Sequence, residues 1–152
     1  MERWHEDEET RKALRLFIVL TRCFDSVSEH ARLDIQRSGL SCSEFGVLEL
    51  LFHKGPTALG LIAEGVLITS GSLTYVIDQL EKQGLVERRS CPTDRRVTYA
   101  DLSEKGRALI TEIFPAHAER IRKAVSGLSP DEQETAIALL KKMGLAAKEA
   151  LD

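Results

Sequence analysis

Thr69, Ser70, Ser72, Thr74, Tyr75 and Gln79 lie in one short stretch, interleaved with Leu73, Val76, Ile77 and Leu80. The apolar set recurs at i, i+3, i+4 and i+7, the spacing of one buried helical face. Thr69 is a suitable N-cap, so the hydroxyls, the phenol and the carboxamide line the exposed side of that helix as donors and acceptors. A helix start of this kind can enter a major groove, reach base edges or phosphates, and attract a phosphate to its free amides. Arg88 and the triplet Asp94-Arg95-Arg96 follow. A long guanidinium can enter a narrow minor groove or clamp a phosphate, and an adjacent carboxylate can hold it in place. Hydroxyls at a helix start are also ordinary caps, and paired arginines are also ordinary in solvated turns. Their joint occurrence in this order along the chain points to duplex DNA.

The surrounding elements must position these groups. A first helix over about Glu8–Gln36 carries Leu14, Phe17, Ile18, Thr21, Phe24, Val27, Ala31 and Ile35 at helical spacing, with Leu16, Val19, Leu20 and Cys23 on a second apolar face. Two apolar faces imply cover from its own core and from a partner chain. Ser41-Cys42-Ser43-Glu44 reads as a capping box opening a buried helix with Phe45, Val47, Leu48, Leu51 and Phe52, closed by Gly55-Pro56. A short helix over about Ala58–Gly65 precedes the hydroxyl-rich one, which runs to about Gln83 and stops at Gly84. Leu85–Arg89 and Val97–Leu102 alternate like strands around a polar loop, a β-hairpin. Ser103 caps a long helix to about Ser126, which Pro115 should kink, and Ser129-Pro130-Asp131-Glu132 starts a last helix. The fold class expected is mainly α with a small β-hairpin wing: a winged helix-turn-helix of six helices.

Composition fits that class. The chain has 152 residues, 43% hydrophobic and 30% charged, enough for a proper core and too apolar for disorder. The net charge is −3. Yet Lys82–Arg107 holds seven basic and four acidic residues, whereas the first ten residues hold one basic and five acidic. Phosphate contact depends on the local charge, so the global sign does not oppose DNA binding. The acidic start lacks the basic and apolar regions of a secretion signal, so a cytoplasmic location is expected. Cys23, Cys42 and Cys91 form no disulfide framework and no zinc motif, and His5, His30, His53 and His117 show no ligand spacing. No nucleophile–base arrangement and no Gly-rich phosphate loop is visible, so neither an enzyme, a cofactor nor a metal is expected.

The run from Leu73 to Arg88, then Asp94-Arg95-Arg96, then Leu102-Ser103-Glu104-Lys105-Gly106, resembles the MarR (multiple-antibiotic-resistance regulator) family. The resemblance covers nearly the whole chain in helix order and is most specific from Thr69 to Gly106. Thr69-Ser70-Gly71-Ser72 and Ile113-Phe114-Pro115 are similar to the branch of quinone- and peroxide-responsive repressors. One departure is Leu67, preceded by Gly65, near the tight turn where many such units carry glycine. The resemblance implies a single domain over 1–152, with a winged helix-turn-helix core at 41–102. It also implies homodimerisation through 8–37 and 104–150. The implied interface residues are Leu14, Phe17, Ile18, Ile121, Val125, Ile137, Leu140 and Leu145. Such a dimer would read a pseudopalindromic operator with half-sites roughly 10 bp apart, usually as a repressor.

Two release mechanisms are open. A small aromatic, phenolic or quinone-type effector could sit among Phe24, Phe45, Leu48 and Phe52, residues that ordinary core packing would also explain. Alternatively a thiol reacts, and Cys42 is the best placed because the first turn of a helix stabilises a thiolate. Cys23, in mid-helix, is expected to be buried and inert, and Cys91, in the wing, to be exposed. The family's peroxide sensors carry a reactive cysteine near the start of the first helix, where this chain has none. A protein-interaction module without DNA binding is the competing class, since winged helices also serve as scaffolds.

Overall fold

A computed structural model describes residues 7–66 and 68–151. The expectation for the turn at Leu67, and His5, lie outside those residues. The order is α1 (Glu8–Arg37), α2 (Cys42–Lys54), β1 (Thr57–Ala58), α3 (Leu59–Val66), α4 (Ser70–Lys82), β2 (Val86–Ser90), β3 (Thr98–Leu102), α5 (Glu104–Ala124) and α6 (Pro130–Glu149). The chain divides into two compact units, residues 31–118 and residues 1–30 with 119–152. Helices α1 and α5 therefore each contribute to both units. The sequence boundaries at 41–102 isolate the wing and the reading helix but leave out the end of α1 and the first part of α5, which belong to the same unit.

Local chemistry explains where the elements of 31–118 begin and end. The Ser41 hydroxyl accepts from the Glu44 amide at 3.1 Å, and Glu44 Oε2 accepts from the Ser41 amide at 2.8 Å, a closed capping box. Gly55 ends α2 at φ 75°, a left-handed conformation that a side chain would strain. Helix α4 is capped by Thr69, which accepts from the Ser72 amide. It closes on a Schellman motif: Gly84 (φ 70°) donates to Glu81 O at 2.8 Å and Leu85 to Leu80 O at 2.9 Å.

The core of this unit gathers Phe45, Leu48 and Leu51 of α2, Ile62 of α3, Ile77 and Leu80 of α4, Ala100 and Leu102 of β3, and Ile110 of α5. The sheet order is β1-β3-β2, all antiparallel, with Val86 opposite Leu102, Arg88 opposite Ala100 and Ser90 opposite Thr98. The third strand, β1, adds Thr57 and Ala58 to a sheet expected as a plain hairpin, and two residues are too few to leave an alternation pattern.

The unit of residues 7–30 and 119–151 is helical apart from the α5–α6 connection and its two ends, residue 7 and residues 150–151. Helix α6 starts on the capping box of Ser129 and Glu132, with Pro130 at its first turn. Arg122 reaches Glu119 through two hydrogen bonds at 2.6 and 2.7 Å. Among its described residues none is buried, and Cys23 is exposed rather than interior as expected. The apolar stripes of α1 and α6 have no core in this unit to enter. No single helix among the described residues is long and apolar enough to cross a membrane.

Candidate nucleic-acid interface

On α4 the buried face is Leu73, Val76, Ile77 and Leu80, which leaves the polar residues outward. Several of the hydroxyls are engaged locally. Thr69 Oγ1 donates to Ser72 Oγ at 2.9 Å, and Thr74 Oγ1 donates to Ser70 O at 3.0 Å. These bonds fix the rotamers of the first turns while each hydroxyl oxygen keeps acceptor capacity. Ser70 is exposed, Gln79 is partly exposed, and Tyr75 stands 66% exposed as the one large ring on this face.

At the tip of the wing, Asp94 receives both Nε and Nη2 of Arg96 at 3.2 Å and the Arg96 amide at 3.0 Å. The Arg96 side chain hydrogen bond holds the Asp94 carboxyl below its ordinary range, and the amide bond adds to this. Arg96 nevertheless stays 90% exposed, so its charge is aimed and still accessible. Arg95 is exposed and has no ion-pair partner among the described residues.

Arg88 is placed differently. Its Nη2 donates to Asp78 Oδ1 at 2.6 Å, its Nη1 donates to Glu81 Oε2, and its amide donates to Glu81 Oε1 at 3.1 Å. Burial works against its charge, but the hydrogen bond it donates to Asp78 and the attraction of Glu81 more than offset this and raise its pKa. Arg89 meanwhile pairs with the buried Asp101 at 3.1 Å. Reading the chain alone missed Asp78 and Glu81. A signal was present, since Arg88 has the inward phase of Val86 in β2 and an inward cation requires carboxylates.

The junction between reading helix and wing is tied to the start of α5. Ser103 Oγ donates to Gly84 O at 2.6 Å, the Ser103 amide to Leu85 O at 3.1 Å, and Lys105 Nζ to Gln83 O at 2.8 Å. Gly106 packs so close that a Cβ there would lie 1.9 Å from Leu85 O. Only glycine permits this approach.

The remaining candidates are spread out. Phe45 and Leu48 are buried in the core of 31–118 and Phe52 packs against it, whereas Phe24 lies on α1 in the other unit, 68% exposed. The Phe45 ring packs on His117 at 4.4 Å between centroids with the planes tilted by 48°, and Phe114 lies 5.9 Å from Phe52 and 5.0 Å from His53. Cys42 is exposed at the first turn of α2 and lines an open groove of about 410 Å³ with Gly46, Glu49, His53 and Lys54. Cys91 is half-buried in the wing loop, its thiol held below the ordinary range by hydrogen bonding to the Thr93 side chain and the amides of Thr93 and Asp94. No group of three or more His, Cys, Asp or Glu among the described residues is placed to hold a metal ion.

Residues 40–98 match the MarR family model. Over 140 residues the chain is 48% identical to the HTH-type transcriptional regulator MhqR of Bacillus subtilis (strain 168), covering 92% of this chain and 97% of that protein. The chain belongs to the MarR family. Solved MarR-like structures share its fold. BpsR of Bordetella bronchiseptica, whose DNA binding is regulated by 6-hydroxynicotinic acid, matches with a TM-score of 0.75 at 29% identity, covering 86% of this chain and 98% of that one. Sco3205 of Streptomyces coelicolor, a MarR family transcriptional regulator in complex with DNA, matches with a TM-score of 0.78 at 25% identity, covering 95% of this chain and 90% of that one. This MarR-family chain is thus similar to regulators along almost its whole length, and the family-model match contains both α4 and the wing tip.

Proposed function

We propose that this protein is a sequence-specific DNA-binding transcriptional regulator, acting in the cytoplasm as a homodimeric repressor that a small aromatic, phenolic or quinone-type effector releases. One observation carries the DNA reading: the exposed polar face of α4 adjoins a wing whose tip presents the exposed Arg95 and Arg96, the latter steered by Asp94. Reading bases from α4 and anchoring phosphate or minor groove from the wing needs both parts. The relation to MhqR and the likeness to the DNA-bound Sco3205 support it. In a salt-controlled gel shift, Arg95→Ala with Arg96→Ala weakens operator binding by about tenfold or more while the dimer persists. Unchanged binding would remove the wing from the reading.

Dimerisation is supported by the unit of residues 7–30 and 119–151. Leu14, Phe17, Ile18, Ile137, Leu140 and Leu145 are exposed there, and Ile121 and Val125 are half-buried. The effector reading rests on the ring cluster of Phe45, Phe52, His53, Phe114 and His117, and on the 6-hydroxynicotinic acid response of BpsR. A thiol response through Cys42 is favoured by its exposure at a helix start beside an open groove. Titrating quinones and phenols against the operator complex separates the two. Equal release of the wild type and Cys42→Ser excludes a thiol response through Cys42.

A further inference from the structure

The exposed side of α4 carries two acidic residues in a row with its hydrogen-bonding groups. Thr74, Asp78 and Glu81 stand at i, i+4 and i+7, so the stripe that begins with hydroxyls continues into carboxylates. Facing a polyanion, bare carboxylates are repelled across a Debye length of about 8–10 Å. Here both are bridged by one guanidinium, whose side chain is only 28% exposed, against 90% for Arg96. Arg88 could reach a phosphate only by giving up two charge-assisted hydrogen bonds. Its amide is held by Glu81 as well, so the same contacts join strand β2 to the reading helix.

Resting on the DNA reading above, we propose that Arg88 is a positioning residue for DNA recognition: it masks Asp78 and Glu81 on the reading helix and fixes the wing to that helix, without touching phosphate. The cations that meet DNA from the wing are then those of its tip, and Arg88 governs binding from inside the protein. Its removal leaves two carboxylates uncompensated, and neutralising those carboxylates should undo much of the damage.

The test measures Kd against salt for the full-length wild type, R88Q and D78N/E81Q/R88Q. The probes are a duplex enriched by the wild type from a random pool and a mixed-sequence duplex of equal length. R88Q weakens the enriched duplex by about tenfold with the salt slope unchanged, and the triple variant recovers most of that loss. A slope lower by about one for R88Q means direct phosphate contact and overturns the proposal. So does wild-type affinity in R88Q, or a triple variant as weak as R88Q. Should R88Q fail to fold by circular dichroism, D78N/E81Q replaces it: with Arg88 released, the mixed-sequence duplex binds tighter and with a slope steeper by about one. An unchanged slope there overturns the proposal too. If the wild type enriches no duplex at all, the DNA reading itself fails, an outcome distinct from the others.

Discussion

Residues 31–118 and the unit of 7–30 with 119–151 share two long helices, yet they treat apolar side chains in opposite ways. In the first, Val47, Leu48, Leu51, Ile62, Ile77, Leu80 and Ile110 are fully buried, each contributing about 1.5–3 kcal/mol relative to exposure. In the second, Phe17 is 66% and Leu145 65% exposed, and no described residue is buried. That unit is held locally instead, by the Ser129–Glu132 box and by pairs such as Lys12–Glu8 at 2.8 Å. Such pairs contribute only about 0.2–0.5 kcal/mol each. The contrast teaches that helical periodicity reports a face in need of cover, without saying whether the cover comes from the same chain.

The largest expected effect tests the cored unit. Leu48→Ala should cost about 3–5 kcal/mol in urea denaturation, because a fully enclosed site cannot collapse around the cavity. Leu139→Ala, at an exposed site on α6, should change stability by about 0.5 kcal/mol or less. Equal losses at the two positions would erase the distinction between the units.

The next effect tests the uncored unit. Phe17→Asp with Leu140→Asp should weaken self-association by about 2 kcal/mol or more in sedimentation. The cooperative melting of 31–118 should persist. A sedimentation coefficient equal to that of the wild type at every concentration would place the dimer contact elsewhere.

The smallest effect is acid sensitivity. Hydrogen bonds from the Ser129 amide and hydroxyl hold the Glu132 carboxyl below the ordinary glutamate range. A lowered folded pKa stabilises fully above the unfolded value, and that contribution is lost as pH falls through the folded one. The amide resonances of Ser129 and Glu132 should therefore shift below the ordinary glutamate range, while those of α2 and α4 core residues hold. The tip of the wing is the expected exception, since Asp94 is lowered in the same sense by Arg96. Core amides shifting together with Ser129 would contradict this local account.

Much of this was legible along the chain. Ser41 with Glu44, Ser129 with Glu132, and Gly84 are local devices whose chemistry is complete within a few residues, and the six helices follow from them and from apolar spacing. The groups that would face DNA from α4 and the wing tip were legible for the same reason. What escaped depends on chain segments that meet only after folding. Arg88 finds Asp78 ten residues back across the turn, Gly106 is glycine because Leu85 O lies against it, and Phe45 meets His117 from another helix. Cys23 was misplaced because periodicity cannot tell a core from a surface awaiting a partner.

The lock at Gln83–Leu85 has a consequence for how the protein breathes. The end of the reading helix, the root of the wing and the first turn of α5 close on each other through Ser103, Lys105 and Gly106, so none of the three can loosen while the others stay shut. In hydrogen exchange the amides of Leu85, Ser103 and Gly106 should therefore open as one unit and exchange together, later than those of the wing tip and the ends of α6. A signal arriving at the start of α5 would turn helix and wing as a single body.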